Sequence, residues 1–128
     1  MAKKVILVDD SKTILATVGF ALENLIQTGS ITFDTFDNPI EFLNEVKNGR
    51  SSYDLLFTDI NMPQINGLDL AKELKSIEHV KQKPIVALTT ESHASIKQAG
   101  KEIGIAGWLV KPFSDAKVIG AVQKILAL

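Results

Sequence analysis

Short apolar runs alternate with helical patterns along the whole chain, and this alternation is the feature that most limits the possible folds. Three of the five runs are continuous in Val, Ile, Leu and Phe, which is typical of strands covered on both faces of a parallel sheet. The run at 31–36 instead alternates apolar and polar residues, a pattern typical of an edge strand. The five predicted strands are VILVDD (5–10), ITFDTF (31–36), DLLFTD (54–59), PIVALTT (84–90) and GWLVK (107–111).

Between these runs, apolar residues recur with the 3.6-residue period of helices. Ser11 is a predicted N-cap for the first helix, and Asn38 followed by Pro39 is a typical start for the second. The fourth helix is the weakest prediction, because few of its residues face a core and Gly100 interrupts it. The predicted helices cover 11–26, 38–48, 68–76, 92–103 and 114–126.

Alternating strands and helices predict parallel βαβ units with right-handed crossovers. A barrel would need more units, so we expect an α/β fold with an open, doubly wound (βα)5 parallel sheet in a three-layer sandwich. The 128 residues are enough for one domain with its own core. We therefore expect residues 1–128 to form a single domain, with no effector domain after the fifth helix.

Composition and charge exclude several classes of function. The net charge of -1 gives no overall attraction to nucleic acid or to an anionic membrane. The chain has no cysteine, which excludes disulfides and thiolate metal sites. The apolar run at 5–8 is too short for a signal peptide or a membrane span. We expect a soluble, cytoplasmic monomer that neither binds nucleic acid nor inserts into a membrane.

Polar and charged residues follow the carboxyl ends of four predicted strands, and these ends lie at one edge of a parallel sheet. A single Asp after a strand is usually a turn former or a helix cap, and a single Lys there is usually a surface residue. The arrival of such residues from four strands at one edge instead predicts a site. The residues are Asp9, Asp10, Asp59, Thr89, Thr90 and Lys111.

The charges of this set predict its chemistry. Asp9, Asp10 and Asp59 carry three negative charges and Lys111 carries one positive charge, which leaves two uncompensated negative charges. Neighbouring carboxylates resist joint ionisation, and a divalent cation would balance them. Oxygen ligands suit Mg²⁺ better than zinc. Mg²⁺ beside a free carboxylate and a lysine is suited to phosphoryl transfer, with Asp59 as the candidate nucleophile.

The ordered motifs VDD, DINMP, LTT and GWLVKPF resemble those of the receiver domains of two-component response regulators, over essentially the whole chain. The resemblance implies a flavodoxin-like fold with strand order 2-1-3-4-5 and a cis bond between Lys111 and Pro112. It also implies that Asp59 is the residue phosphorylated by a histidine kinase.

The same resemblance implies roles for the neighbours of the phosphoacceptor. Asp10 is implied to be the principal Mg²⁺ carboxylate, with Asp9 acting mainly through bound water. The backbone carbonyl of Asn61 is implied to complete the protein's share of the coordination. Thr89 is implied to donate a hydrogen bond to the phosphoryl group, and Lys111 to pair with it.

Further positions concern the subtype and the switch. Asn61 and Glu91 occupy places that tune autodephosphorylation in the family, and the combination is similar to that of chemotaxis CheY-like single-domain proteins. Such a protein would be a switch rather than an enzyme, with only self-catalysed phosphoryl acceptance and loss. Thr90 and Trp108 stand at the family's switch positions, where an indole is larger than the usual Tyr or Phe. A full rotamer change of Trp108 is therefore not expected. Either a smaller shift of the helix-four face replaces it, or Trp108 is a static packing residue.

The implied partners are a CheA-like histidine kinase as phosphodonor and a target such as the flagellar motor switch. The target would bind the face formed by helix four, strand five and helix five. Within the family, the alternatives are a phosphorelay intermediate and a receiver in kinase feedback. Outside it, a Mg²⁺-dependent phosphatase is the alternative, although DDSKT has adjacent aspartates where haloacid-dehalogenase-type phosphatases have two that are two residues apart. A flavodoxin-like cofactor binder would need a phosphate-cradling loop that does not follow the first strand.

Overall fold

A computed structural model describes residues 2–90 and 94–128 of the chain. The strands are β1 (Lys3–Val8), β2 (Ile31–Phe36), β3 (Leu55–Asp59), β4 (Ile85–Thr89) and β5 (Gly107–Val110). The helices of the described residues are α1 (Lys12–Ala21), α2 (Glu23–Gln27), α3 (Pro39–Lys47), α4 (Gly67–Lys75), α5 (Ala94–Ile103) and α6 (Asp115–Leu126). The strands form one parallel sheet in the order β2-β1-β3-β4-β5. The predicted doubly wound α/β fold and the strand order implied by the resemblance are both confirmed.

The sheet is covered on both faces, and side chains of the central strands alternate between two cores. In β1, Ile6 and Val8 join the core under α3 and α4, whereas Val5 and Leu7 join the core under α1 and α6. Every residue of β3 and β4 is buried. This two-sided burial explains why these strands have almost no polar alternation in sequence. The edge strands β2 and β5 are only partly buried.

Two helices begin at the caps that the sequence predicts, and a third is capped by Ser114, the first residue of its predicted helix. The Ser11 hydroxyl accepts a hydrogen bond from the Ile14 N–H at 3.3 Å. The Ser114 hydroxyl likewise accepts from a backbone N–H in the first turn of α6. The Asn38 side chain accepts from the Ile40 N–H at 2.9 Å, with Pro39 in the first turn. Each cap satisfies donors that have no partner inside the helix. None of the helices in the described ranges has the length and apolar character needed to cross a membrane.

Two helices differ from their predictions. The first is two segments, because Leu22 (φ -93°, ψ 0°) departs from helical geometry between α1 and α2. Leu22 is fully buried, and α2 continues beside β2. The prediction that Gly100 interrupts the fourth helix is wrong, since α5 runs through it. Gly100 is buried against the Trp108 ring, where an added Cβ would lie 3.0 Å from Cζ3.

Candidate functional site

Three charged side chains meet at the carboxyl edge of the sheet, and each comes from a different strand. Asp9 follows β1, Asp59 ends β3 and Lys111 follows β5. The Lys111 Nζ atom lies 2.9 Å from Asp9 Oδ2 and 3.4 Å from Asp59 Oδ1. The fold thus brings these three predicted site residues together, as their positions at strand ends indicate.

The ends of β4 and β5 fix the position of the lysine. The Lys111 N–H donates to the Thr89 carbonyl oxygen at 2.7 Å. The following bond, between Lys111 and Pro112, is cis, as the resemblance implies. Asp59 pairs with Leu88 across β3 and β4, so the fully buried Thr89 lies one residue beyond the level of Asp59. Thr89 therefore belongs to the same edge as the charged residues.

The three aspartates form a candidate metal site. One carboxylate oxygen from each of Asp9, Asp10 and Asp59 lies within 4.8 Å of the other two. Asp9 is fully buried, and its Oδ1 accepts from the Ser11 N–H at 2.9 Å, which fixes its orientation. Asp10 is exposed, so the site is open to solvent on that side. Three oxygen donors with access for water could hold a hard divalent cation.

The electrostatic environment of Asp59 opposes its ionisation. Burial raises the pKa of its carboxyl group, and the charge of Asp9 raises that pKa further. Lys111 and the Ile60 N–H, which donates to Asp59 Oδ1 at 2.8 Å, act in the opposite direction. Only 7% of Asp59 is exposed. A buried carboxylate next to a second one is stabilised by additional positive charge, which is what a bound cation would supply.

The other predicted residues lie farther along the same loops and strands. Asn61 and Thr90 are exposed, each shortly after a strand that ends at the site. Trp108 lies in β5 and is partly buried, and its Nε1 is buried with no hydrogen-bond partner in the described parts of the chain. Glu91 lies outside the described residues, so its predicted role stays a prediction.

Sequence reasoning did not single out two residues that surround the backbone of Asp59. The Thr58 hydroxyl donates to the Asp59 carbonyl oxygen at 3.0 Å. The Gly67 N–H donates to the Ile60 carbonyl oxygen at 2.8 Å, and no side chain fits at Gly67 without meeting this backbone. No sequence signal marks Gly67, because it directly precedes the predicted helix at 68–76, where glycine is an ordinary residue.

Comparison with known proteins agrees with this geometry. The response regulator receiver domain family matches residues 5–123. Chemotaxis protein CheY-3 of Vibrio cholerae is 30% identical over 122 residues, which cover 95% of this chain and 90% of that protein. The solved structure of Vibrio cholerae chemotaxis protein CheY4 at low pH has a TM-score of 0.86 and 32% identity. That match covers 98% of this chain and 99% of the other.

Some relatives are longer proteins. Response regulator protein TodT of Pseudomonas putida is 30% identical over 129 residues, which cover 99% of this chain but 52% of TodT. The chain therefore spans about half the length of TodT. The receiver match nonetheless extends over nearly all of the chain and includes every strand end that contributes to the acidic site. The chain therefore belongs to the response regulator receiver domain family of two-component systems.

Proposed function

We propose that this chain is a phosphorylation-activated switch in which Asp59 accepts a phosphoryl group from the phosphohistidine of a kinase. The observation that carries the proposal is the convergence of a buried Asp59 with Asp9, Asp10 and Lys111 at one edge of the sheet. A positioned nucleophile, an acidic site for a cation and an ammonium group together match the needs of phosphoryl transfer. This function does not require turnover of a substrate by the chain.

The proposed transfer is an in-line displacement at phosphorus. An Asp59 oxygen forms the new O–P bond while the P–N bond to the kinase imidazole breaks, and the bonding pair returns to that nitrogen, which takes up a proton. We assign Oδ2 as the attacking atom, since the Ile60 N–H and Lys111 Nζ both approach Oδ1. Thr89 and Lys111 would then contact the added phosphoryl oxygens.

We propose Mg²⁺ as the cofactor, held by Asp9, Asp10, Asp59 and the backbone carbonyl of Asn61. The support from this chain is its set of three carboxylate oxygens within 4.8 Å of one another. When bound, Mg²⁺ neutralises charge on phosphoryl oxygens and lowers the repulsion between the carboxylates. Asp9 is already oriented by Ser11, so it needs little rearrangement.

We propose that the output is binding of a protein target at the α5, β5 and α6 face. This face includes Trp108 and the exposed Lys97, and a cavity of about 180 Å³ lies beside them. The added charge on Asp59 would shift the end of β5 through Lys111. Relatives named as chemotaxis proteins favour a cytoplasmic CheY-like signal to the flagellar motor, received from a CheA-like kinase. Asn61 and Glu91 would set the lifetime of the phosphoryl group.

The first experiment is phosphorylation by acetyl phosphate with Mg²⁺, followed by peptide mass mapping and Trp108 fluorescence. The chain has one tryptophan, so emission reports on β5 alone. We expect a label on Asp59, a change in emission, and neither effect in the Asp59→Asn variant. A wild-type protein with no label and unchanged emission would contradict the switch.

A second experiment identifies the output. Capture of partners with and without a beryllofluoride mimic should retain a motor-switch protein in the activated state only. Retention of a kinase or of a histidine phosphotransfer protein instead would favour kinase feedback or a phosphorelay. Replacement of Lys97 by Glu should weaken capture without changing the label on Asp59, because Lys97 lies outside the phosphorylation site.

A further inference from the structure

The backbone carbonyl of Asp59 is enclosed by two neighbours that carry no charge. The Thr58 hydroxyl donates to the Asp59 carbonyl oxygen at 3.0 Å, and Thr58 is fully buried. On another side lies Gly67, also buried, at the first position of α4. A Cβ at Gly67 would fall 2.1 Å from the Asp59 carbonyl oxygen and 2.9 Å from Ile60 Cα. Contacts this short exclude any side chain at position 67.

These contacts are linked to the carboxylate by two further hydrogen bonds. The Gly67 N–H donates to the Ile60 carbonyl oxygen at 2.8 Å. The Ile60 N–H in turn donates to Asp59 Oδ1 at 2.8 Å. The peptide between Asp59 and Ile60 is therefore hydrogen-bonded at its carbonyl by Thr58 and at its N–H by Asp59 Oδ1, and Gly67 holds the carbonyl of the next peptide. The Ile60 N–H orients the side chain that we propose to be phosphorylated.

We propose that Thr58 and Gly67 are positioning residues, which together form a backbone clamp on the segment 59–61. The clamp sets the direction of the Ile60 N–H, and through it the rotamer of the Asp59 carboxylate. It also sets the position of the Asn61 carbonyl relative to Asp9. The role in phosphoryl transfer rests on the proposed function, whereas the clamp itself is a property of the backbone.

An ordinary explanation exists for each residue alone. Threonine is a common strand residue, and glycine is common where two backbones approach closely. However, burial of a threonine in β3 requires a partner for its hydroxyl, and valine would fill the same space without that requirement. The hydroxyl is directed to the Asp59 carbonyl oxygen, the same atom that a side chain at position 67 would strike. Both residues therefore restrict the surroundings of the same oxygen.

The test uses Thr58→Val, which removes the hydroxyl at nearly constant volume, and Thr58→Ser, which keeps it. Gly67→Ala inserts the excluded methyl group, and Gly120→Ala is its control, because a Cβ added at Gly120 in α6 meets no side chain or neighbouring element within 4 Å. The readouts are amide hydrogen exchange at Ile60 and Gly67 by NMR, Mg²⁺ titration by NMR shifts, the rate of labelling by acetyl phosphate, and the thermal midpoint.

We expect Thr58→Val to speed exchange of the Ile60 and Gly67 amides by roughly fivefold, the factor that corresponds to one ordinary hydrogen bond. In Thr58→Val, Mg²⁺ affinity and the labelling rate should fall by a similar factor. In Thr58→Ser, which keeps the hydroxyl, both should stay at their wild-type values. Amides at the centre of β1 should exchange as in the wild type. Gly67→Ala should reduce labelling more strongly, while Gly120→Ala should leave it unchanged.

The clamp is overturned if the Ile60 and Gly67 amides of Thr58→Val exchange at the wild-type rate. It is also overturned if these amides exchange as fast in Thr58→Ser as in Thr58→Val. Faster exchange with unchanged Mg²⁺ affinity and labelling would also overturn the positioning role. Failure of the wild type to accept a phosphoryl group would count against the proposed function instead. In that case exchange and Mg²⁺ titration still decide the clamp. If Gly67→Ala does not fold, the Thr58 pair gives the answer.

Discussion

Two aspartates lie at opposite ends of the same strand, and their surroundings shift their pKa values in opposite directions. Asp54 immediately precedes β3 and Asp59 ends it. Asp54 accepts from the Lys4 N–H at 2.7 Å, and Lys83 Nζ lies 3.2 Å away. The Lys4 hydrogen bond, followed by the Lys83 contributions, holds the pKa of Asp54 below its usual value despite partial burial. Burial and the charge of Asp9 instead raise the pKa of Asp59.

The difference shows that a lysine partner does not by itself make a carboxylate structural. Each aspartate has one, Lys83 at one end of β3 and Lys111 at the other. The Lys111 ammonium is shared with a second carboxylate, Asp9, and the site is more deeply buried. Asp54 is therefore stable as an anion and joins β1 to the loop before β4. The negative charge of Asp59 is only partly compensated, so additional positive charge would stabilise it.

The largest expected effect separates the two aspartates by reactivity. Asp59→Asn should abolish labelling by acetyl phosphate, because the amide lacks the nucleophilic oxygen anion. Asp54→Asn should be labelled at a rate within about twofold of the wild type, since it lies at the other end of the strand. Mass mapping after a timed reaction measures both. Labelling of the Asp59→Asn variant at another residue would break the comparison.

The second largest expected effect distinguishes the two lysine partners. Lys111→Ala should slow labelling of Asp59 by roughly 10- to 100-fold, because it removes a preorganised positive charge from the reacting group. Lys83→Ala is the matched variant, and it should leave the labelling rate unchanged. Rates measured at saturating Mg²⁺ compare the two. Equal rates for Lys111→Ala and Lys83→Ala would show that the Lys111 ammonium has no part in the transfer.

Stability should change in opposite directions when each aspartate is neutralised. A lowered folded-state pKa stabilises the fold above the unfolded pKa, so Asp54→Asn should destabilise by roughly 1 kcal/mol at neutral pH. This loss should vanish as pH falls through the lowered pKa. A raised folded-state pKa means that the folded state binds more protons, so stability falls as pH rises from the unfolded value.

Asp59→Asn should therefore stabilise the metal-free protein at neutral pH, and the gain should disappear toward acid. Urea unfolding at several pH values in a chelator measures both variants. The double variant should show the sum of the two effects, because the ends of a five-residue strand are far enough apart to act independently. Destabilisation by Asp59→Asn at neutral pH would contradict the assignment of an unfavourable charge.

The smallest expected effect is the response to salt. The side chains of Lys83 and Asp54 are 43% and 30% exposed, whereas those of Lys111 and Asp59 are 14% and 10% exposed. Added salt should reduce the stability difference between wild type and Asp54→Asn by about 0.3 kcal/mol. The Asp59→Asn difference should change less, because buried charges are screened weakly. Denaturation in low and high NaCl measures this, and equal salt dependence would contradict it.

Sequence reasoning predicted the parts of the fold that depend on local pattern. Two-sided burial of β3 is visible in its continuous apolar residues, and the caps at Ser11 and Asn38 are visible in residue type. The positions of the strand ends were sufficient to predict that Asp9, Asp59 and Lys111 lie close together. The strand order and the cis bond came from the resemblance, since neither follows from periodicity.

The features that were missed depend on tertiary contacts. Leu22 continues the helical period of α1, so the break there is not visible in the pattern. Gly100 has the composition of a helix breaker but serves as space for the Trp108 ring. The Thr58 hydroxyl looks like one more strand threonine until its acceptor is known. In each case the deciding partner is a group that the local sequence pattern does not reveal.

The two edges of the sheet have a consequence for how copies of this chain meet. β5 has only four residues and is followed directly by Lys111 and Pro112, while β2 carries the exposed Asp34. Short length, a residue with no N–H and a charge each discourage a neighbouring molecule from adding its own strand. We therefore expect copies of this chain not to extend the sheet from one molecule to the next, even at high concentration.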